Sequence, residues 1–399
     1  MTDLLPPLNK RLDVVDALRG FALMAIVILH SLEHYNLYCI PEGMPDWLNM
    51  LDLGVWETTF FLMAGKAYAT FSLLFGFSFY IQFRNEQARG GDFRRRFAWR
   101  MFLLFLFAQF HSLFYNGDIL LLYAVAGLLL IPVCRLKDKT VFIIALACLF
   151  QPFEWGRVLY SLFHSGYTPL SDGYITYKQL ALPVMKDGNF LELLRSNIWH
   201  GQLYSNFWQV EHGRLFQTVG LFMYGLLLGR RQYFIPSAQS VRRWRTVCTV
   251  CAAAFGPLWY IKESMGDMLH TAGLDRLSVP MDTIVMSWFN IAFMGLLVAA
   301  FTLAWFRTNG LRIQRFIIPY GRMSLTNYIT QSIIGVFLYY GYGLGLYKTT
   351  GATVTFLIGL GIVGLQLFWS RRWLARHKQG PFETIWSKGT WLGHQRNRA

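Results

Sequence analysis

The chain has 399 residues, 54% of them hydrophobic, 17% aromatic and only 15% charged; with a mean hydropathy of +0.33 it is too apolar for a water-soluble globule of this length. Disorder, collagen-like repeats and secreted disulfide scaffolds are excluded, and a membrane is implied. The 37 Lys and Arg against 22 Asp and Glu leave a net charge of +15, which suits either nucleic acid or the inner loops of a polytopic protein, so the distribution of charge has to decide.

Apolar runs bounded by charge or turn residues predict ten helices, near 14–36, 58–82, 98–115, 118–134, 140–162, 212–229, 246–261, 284–306, 320–341 and 351–370. Most approach the roughly 20 residues that a hydrocarbon core requires. The fifth is interrupted by Pro152 and Glu154. With the N-terminus inside and loops alternating, 27 of the 37 Lys and Arg fall on the inner side, eight fall outside, and Arg19 and Lys66 lie within spans. The positive-inside rule therefore favours an all-α bundle with both termini cytoplasmic. Residues 1–399 read as one integral-membrane domain, with an extracytoplasmic loop over 153–211 forming short capping helices and a cytoplasmic tail over 371–399. The first run carries Arg19 and lacks a small-residue cleavage pattern, so it reads as a retained helix. Five cysteines give no disulfide framework, and the Cys248–Cys251 pair reads as apolar packing.

Ionisable groups at membrane depth are costly and are kept where they face protein, water or substrate. Arg19 and His30 are 11 residues apart in the first span, about 16 Å and three turns, so they share one face. That face could join an anionic cytosolic ligand to an outward reaction centre; snorkelling of Arg19 and ordinary packing of His30 explain the same residues. The segment His30-Ser31-Leu32-Glu33-His34 also fits the H-x-x-E-H zinc pattern. A third protein ligand would still be needed, and His111, Asp118, Glu211 and His212 are available. Without metal, Glu33 or His34 would orient His30. No metal is expected.

His111 ends the third span, and Tyr115-Asn116-Gly117-Asp118 forms an outer turn at the predicted height of His30. Asp118 equally suits a helix start. Glu211 and His212 open the sixth span, where capping is the plain alternative, and Lys66 interrupts the second. In the ninth span Ser324, Asn327, Tyr328 and Gln331 recur at i, i+3, i+4, i+7, a polar stripe that lines a hydrated cleft or serves as interhelical hydrogen-bond glue. Arg94-Arg95-Arg96 with Arg100 reads as an inner-surface anchor to anionic lipid or as a contact for a phosphorylated cofactor. No Walker loop, dinucleotide fingerprint or nucleic-acid motif is present.

Asp16-Ala17-Leu18-Arg19-Gly20-Phe21-Ala22-Leu23, Phe71-Ser72-Leu73-Leu74-Phe75-Gly76, Gly117-Asp118-Ile119-Leu120, Gly321-Arg322-Met323-Ser324-Leu325-Thr326-Asn327-Tyr328 and Gly380-Pro381-Phe382-Glu383 occur in order over nearly the whole chain. Together they resemble the bacterial YeiB-like family, domain-of-unknown-function family 418. That family in turn resembles the ten-helix transmembrane acyltransferase superfamily, which includes acyltransferase family 3 and heparan-alpha-glucosaminide N-acetyltransferase. The superfamily's first-helix Arg-x10-His pattern is met by Arg19 and His30, where the closer family commonly carries Asn at the histidine position.

The resemblance implies transfer of an acyl group from cytosolic acyl-CoA to an extracytoplasmic acceptor, a glycan or another envelope hydroxyl or amine. His30 would be the catalytic imidazole, acting as base or acyl carrier, with Asp118, His111 and Glu33 beside it. Arg19, Arg322, Ser324, Asn327 and Gln331 would hold the coenzyme, and Lys66, His34 and Glu211 would meet the acceptor. Acyl-CoA, the envelope acceptor and the bilayer of the bacterial cytoplasmic membrane are the expected partners; nucleic acid is not, and self-association is left open. Two other classes use the same residues: a small-molecule exporter with the polar stripe as its pathway, and a zinc-dependent intramembrane hydrolase built on His30, Glu33 and His34.

Overall fold

The computed structural model describes residues 11–164, 166–169 and 172–392; Lys10, Arg396 and Arg398 of the positive-inside count lie outside them. The described residues are helical, with no strand among them. The chain begins with α1 (Asp13–His30), α2 (Asp46–Met63), α3 (Lys66–Gln87), α4 (Phe93–Ser112), α5 (Leu120–Leu128), α6 (Leu130–Val133), α7 (Asp138–Leu149) and α8 (Pro152–Phe163). Next come α9 (Asp172–Asp187), α10 (Phe190–Ser196), α11 (Gln202–Glu211), α12 (Arg214–Arg230), α13 (Ala238–Thr271) and α14 (Ser278–Thr308). The short α15 (Arg312–Phe316) and α16 (Ile318–Arg322) lead into α17 (Ser324–Tyr339), α18 (Ala352–Leu374) and α19 (Pro381–Thr390).

Four helical segments are long and apolar enough to cross a membrane: Asp13–Tyr35, Asp46–Gln87, Asp275–Thr308 and Ala352–Leu374. The pair α7–α8, bent by 49° at a short break, makes a fifth if it counts as one span. Pro152 at the first position of α8 explains the break, since it supplies no N–H to a continuing helix. The predicted second span, 58–82, straddles a sharper boundary: α2 ends at Met63, and Gly65 at φ +77° turns the chain into α3. Only a residue without Cβ takes that conformation freely.

Burial sorts the helices by depth in the bundle. In the most apolar window of α1 and its continuation 78% of residues are buried, against 33% in α18, so α1 is central and α18 peripheral. It packs on α3, α16, α17 and α18. The α3–α12 crossing is close because Gly76 faces the Phe222 carbonyl and Gly225 the Leu73 carbonyl, where an added Cβ would stand 1.9 and 2.0 Å away. Small residues let helix backbones approach in this way. In contrast, α13 pairs with α14 and is exposed along most of its length.

Residues 172–211 form α9 to α11 with a π-helical turn at Asn197–Gly201. They rest on the α4–α5 connection: Asn197 donates to the Leu113 carbonyl at 3.1 Å, and Gln209 to the Asp118 carbonyl at 2.8 Å.

Candidate functional site

A cavity of about 570 Å³ opens between α1, α3, α4, α5, α17 and α19. Its polar end carries Arg11, Asp16, Arg19, Gln82, Arg100 and Arg322; its deep end is walled by Leu23, Ile26, Phe71, Tyr123 and Tyr328. The arginines have different supports. The Asp16 carboxylate, 1% exposed, accepts from Arg19 at 2.6 Å and pairs with Arg11. Arg19 also donates to Ser78 Oγ on α3. One carboxylate thus aims two guanidiniums, and Arg19 is fixed rather than snorkelling. Arg100 has no carboxylate partner among the described residues, and its guanidinium stacks 3.6 Å from the Trp386 ring of α19. Arg322 donates to the Lys378 carbonyl at 3.2 Å and leaves Nε buried without a partner.

Tyr328 divides this cavity from a second cluster. Its hydroxyl accepts from the Ile119 N–H at 3.2 Å. Its ring lies 5.1 Å from that of His111 and 6.4 Å from that of His30. His111 is fully buried, and its Nδ1 is 2.7 Å from Asp118 Oδ1. Asp118 Oδ2 accepts from the Leu121 N–H at 3.2 Å. This arrangement orients an imidazole in the manner of a base held by a carboxylate, leaving Nε2 for chemistry; His111 Nε2 is buried and has no partner. His30 Nδ1 is likewise buried and unpaired. Tyr115 packs between the two imidazoles, 5.6 Å from His30 and 5.5 Å from His111.

Residues 228–393 match the family model described as "Protein of unknown function (DUF418)". Over the whole length, the uncharacterized protein YxaH of Bacillus subtilis (strain 168) is 25% identical, with 99% of this chain and 98% of the relative aligned. The uncharacterized protein YeiB of Escherichia coli (strain K12) is 25% identical, with 94% and 95% aligned. The chain is thus similar to the YeiB-like DUF418 family. An uncharacterized 39.9 kDa protein from the amylase 3′ region of Bacillus acidopullulyticus is also similar to this chain, 24% identical over 96% of the chain and 95% of the relative. No solved structure matches it.

In this protein the expected site residues separate into groups. Arg19, Arg322 and Ser324 line the cavity with Tyr328. Asn327 is used otherwise, donating to Ser370 Oγ at 2.9 Å and the Tyr320 carbonyl at 3.1 Å. It is interhelical glue between α16, α17 and α18. Gln331 is buried with neither amide atom paired. His30, Glu33 and His34 converge at the end of α1, where Ser31–Tyr35 forms a π-helical turn and Glu33 Oε1 is 3.2 Å from His34 Nε2.

Two expected contacts lie elsewhere. Lys66 is buried among Phe61, Phe289 and Phe293, its Nζ 5.1–5.8 Å from the ring centres, outside the cavity lining. Glu211 accepts from the N–H groups of Gly173 and Tyr174 at 3.1 and 3.0 Å and caps α9. Of the basic cluster, Arg94 is taken by Asp92 at 2.7 Å and Arg96 by Glu86 at 2.6 Å, whereas Arg100 faces the cavity.

Sequence reasoning missed Asp16, Ser78, Trp386 and Glu383 as parts of the site. Asp16 stands three residues before Arg19, the spacing that lets side chains meet on a helix, and that signal was readable. The others come from elements whose approach depends on the tertiary fold.

Proposed function

We propose that this protein is a membrane-bound acyltransferase of the bacterial cytoplasmic membrane, moving an acyl group from cytosolic acyl-CoA to a hydroxyl or amine of a glycan or other envelope acceptor. About ten spans with both termini inside put the arginine-lined end of the cavity at the cytosol and the imidazole cluster toward the outer leaflet. The observation that carries the reading is the gradient along the cavity, from Arg19, Arg100 and Arg322 to an apolar end closed by Tyr328, whose ring borders both His30 and His111. Phosphates suit the guanidiniums. A slender pantetheine arm suits the apolar throat, and it carries the thioester toward the imidazoles.

The proton goes to His111 in this scheme, because Asp118 bonds that imidazole. The acceptor oxygen or nitrogen bonds to the thioester carbonyl carbon and loses its proton to His111 Nε2. The C–S bond breaks, and the coenzyme leaves as thiol after taking that proton. His30 lies across the Tyr115 ring from His111.

The test is a thermal-shift series on purified full-length protein with coenzyme A and acyl-CoA thioesters of increasing chain length. Saturable stabilisation is expected, about 2.7 kcal/mol at a hundredfold excess over Kd, weakened by Arg100→Ala and Arg19→Ala. If no thioester stabilises the protein, acyl-CoA is not its ligand.

A further inference from the structure

The π-helical turn that ends the first span gathers three metal-ligating side chains. One ring nitrogen each of His30 and His34 and one carboxylate oxygen of Glu33 lie within 4.8 Å of one another. The Glu33–His34 pair, at 3.2 Å, already has the separation of two ligands on a tetrahedral zinc ion, about 3.3 Å for bonds near 2.0–2.1 Å. Single π-turns inside helices are rare and concentrate at functional sites. Glu33 and His34 are 14% and 16% exposed, and His30 keeps a buried nitrogen without any hydrogen-bond partner. Such an orphan is costly unless something binds it.

The surroundings suit a cation. Rings of Tyr35 and Tyr115 pack within 6.0 Å of His30, and those of Tyr38 and Tyr115 within 6.4 Å of His34, so solvent competes weakly for the ligand atoms. No fourth His, Cys, Asp or Glu joins the set among the described residues, which leaves an open coordination position, as in catalytic rather than structural zinc sites.

We propose that His30, Glu33 and His34 form a three-ligand site for a divalent transition metal of the zinc class. The inference goes beyond the acyl-transfer reading and does not depend on it. Where both hold, the metal would polarise the acceptor oxygen while His111 takes the proton, so the two imidazoles would have separate duties.

The experiment uses full-length protein in detergent, stripped with chelator and titrated with Co²⁺ followed by optical absorption, then with Zn²⁺. One Co²⁺ per chain is expected, with the visible bands of a low-coordinate site, displaced by Zn²⁺. Glu33→Gln and His34→Ala should each weaken binding by about 100-fold or more, while His111→Ala keeps the stoichiometry. Circular dichroism on each variant separates lost ligands from lost fold. Absence of saturable Co²⁺ binding by the folded wild type overturns the site, as does binding that survives in folded Glu33→Gln and His34→Ala. Thioester stabilisation is recorded on the same preparations. Metal binding without it removes only the acyl-transfer reading, and thioester binding without metal removes only this one.

Discussion

The Glu383 carboxylate accepts three hydrogen bonds from the first turn of α17, two of them from Thr326: the Leu325 N–H at 2.7 Å, the Thr326 N–H at 3.1 Å and Thr326 Oγ1 at 2.5 Å. Helix N-termini leave N–H groups unpaired and attract negative charge, so Glu383 caps α17 from α19, which covers the cavity mouth. Glu383→Ala should cost about 1–3 kcal/mol by leaving buried donors unmatched, read as a lowered midpoint in thermal unfolding. A midpoint equal to wild type would show that α19 does not brace α17.

Burial raises the Glu383 carboxyl above its ordinary value of 4.5, partly opposed by these same hydrogen bonds. A folded-state pKa above the unfolded one means the native state holds the proton more tightly, so this group's contribution is full below pH 4.5 and declines as pH rises through the raised value. Glu383→Gln does not titrate at this position. The stability of wild type relative to Glu383→Gln should therefore fall as pH increases across that window, and a difference that grows with pH would reverse the argument.

The third prediction concerns the buried His111–Asp118 pair. Asp118→Asn keeps the shape and an acceptor for the Leu121 N–H, but favours the wrong imidazole tautomer. Turnover of acyl-CoA should drop on the order of 10²- to 10⁴-fold, with thioester binding retained and the pH–rate profile displaced. Wild-type turnover in Asp118→Asn would remove His111 from proton transfer.

Much of the centre was legible in the sequence because its signals are local. Arg19 and His30 share a face by helical arithmetic, and His111 and Asp118 were expected at the height of His30 from the turn between them. The polar stripe was visible too, but periodicity could not separate Ser324 and Tyr328, which line the cavity, from Asn327, which bonds α16 and α18. Asp46, Asp52 and Glu57 hid α2 from a search for uninterrupted apolar runs. The helix survives because Asp52 is spent on the start of α18, accepting from the Thr353 N–H at 2.8 Å. Lys66 looked functional for its cost at depth, yet three phenylalanine rings surround its ammonium, a stabilising arrangement in itself. The docking of α19 has no periodic signature, because it rests on single contacts such as Trp386 donating to the Arg100 carbonyl at 3.0 Å.

Arg100 supplies the fourth prediction. Its guanidinium carbon lies 3.6 Å from the Trp386 ring centre and it has no competing carboxylate among the described residues, so it is free to meet an anion from the cavity. Arg100→Ala should weaken coenzyme A binding by about 10- to 150-fold, the equivalent of roughly 1.5–3 kcal/mol for a charge-assisted hydrogen bond. Arg100→Lys should recover only part, since a lysine can neither stack as a plane nor bind a phosphate bidentately. Calorimetric titration of both variants checks this, and equal affinities across all three proteins would leave Arg100 with a structural role alone.

The fifth prediction turns on how closely α1 and α16 approach. A Cβ on Gly321 would stand 1.9 Å from the Asp16 carbonyl oxygen, and one on Gly20 would stand 2.6 Å from the Ile317 carbonyl oxygen. Both obstacles are backbone, so no side-chain rotation relieves them. Gly321→Ala must push α16 away from α1, separating Arg322 and Tyr328 from Arg19 and widening the cavity where it should grip. We expect a loss of stability of about 1–3 kcal/mol together with weakened thioester binding. Gly364→Ala is the matched control, because a Cβ there meets nothing within 4 Å and helix propensity favours alanine. Thermal unfolding and thioester titration of the pair should therefore diverge. Equal behaviour of the two variants would mean that the α1–α16 contact yields without disturbing the site, and the precise spacing of Arg19 and Tyr328 would lose its importance for binding.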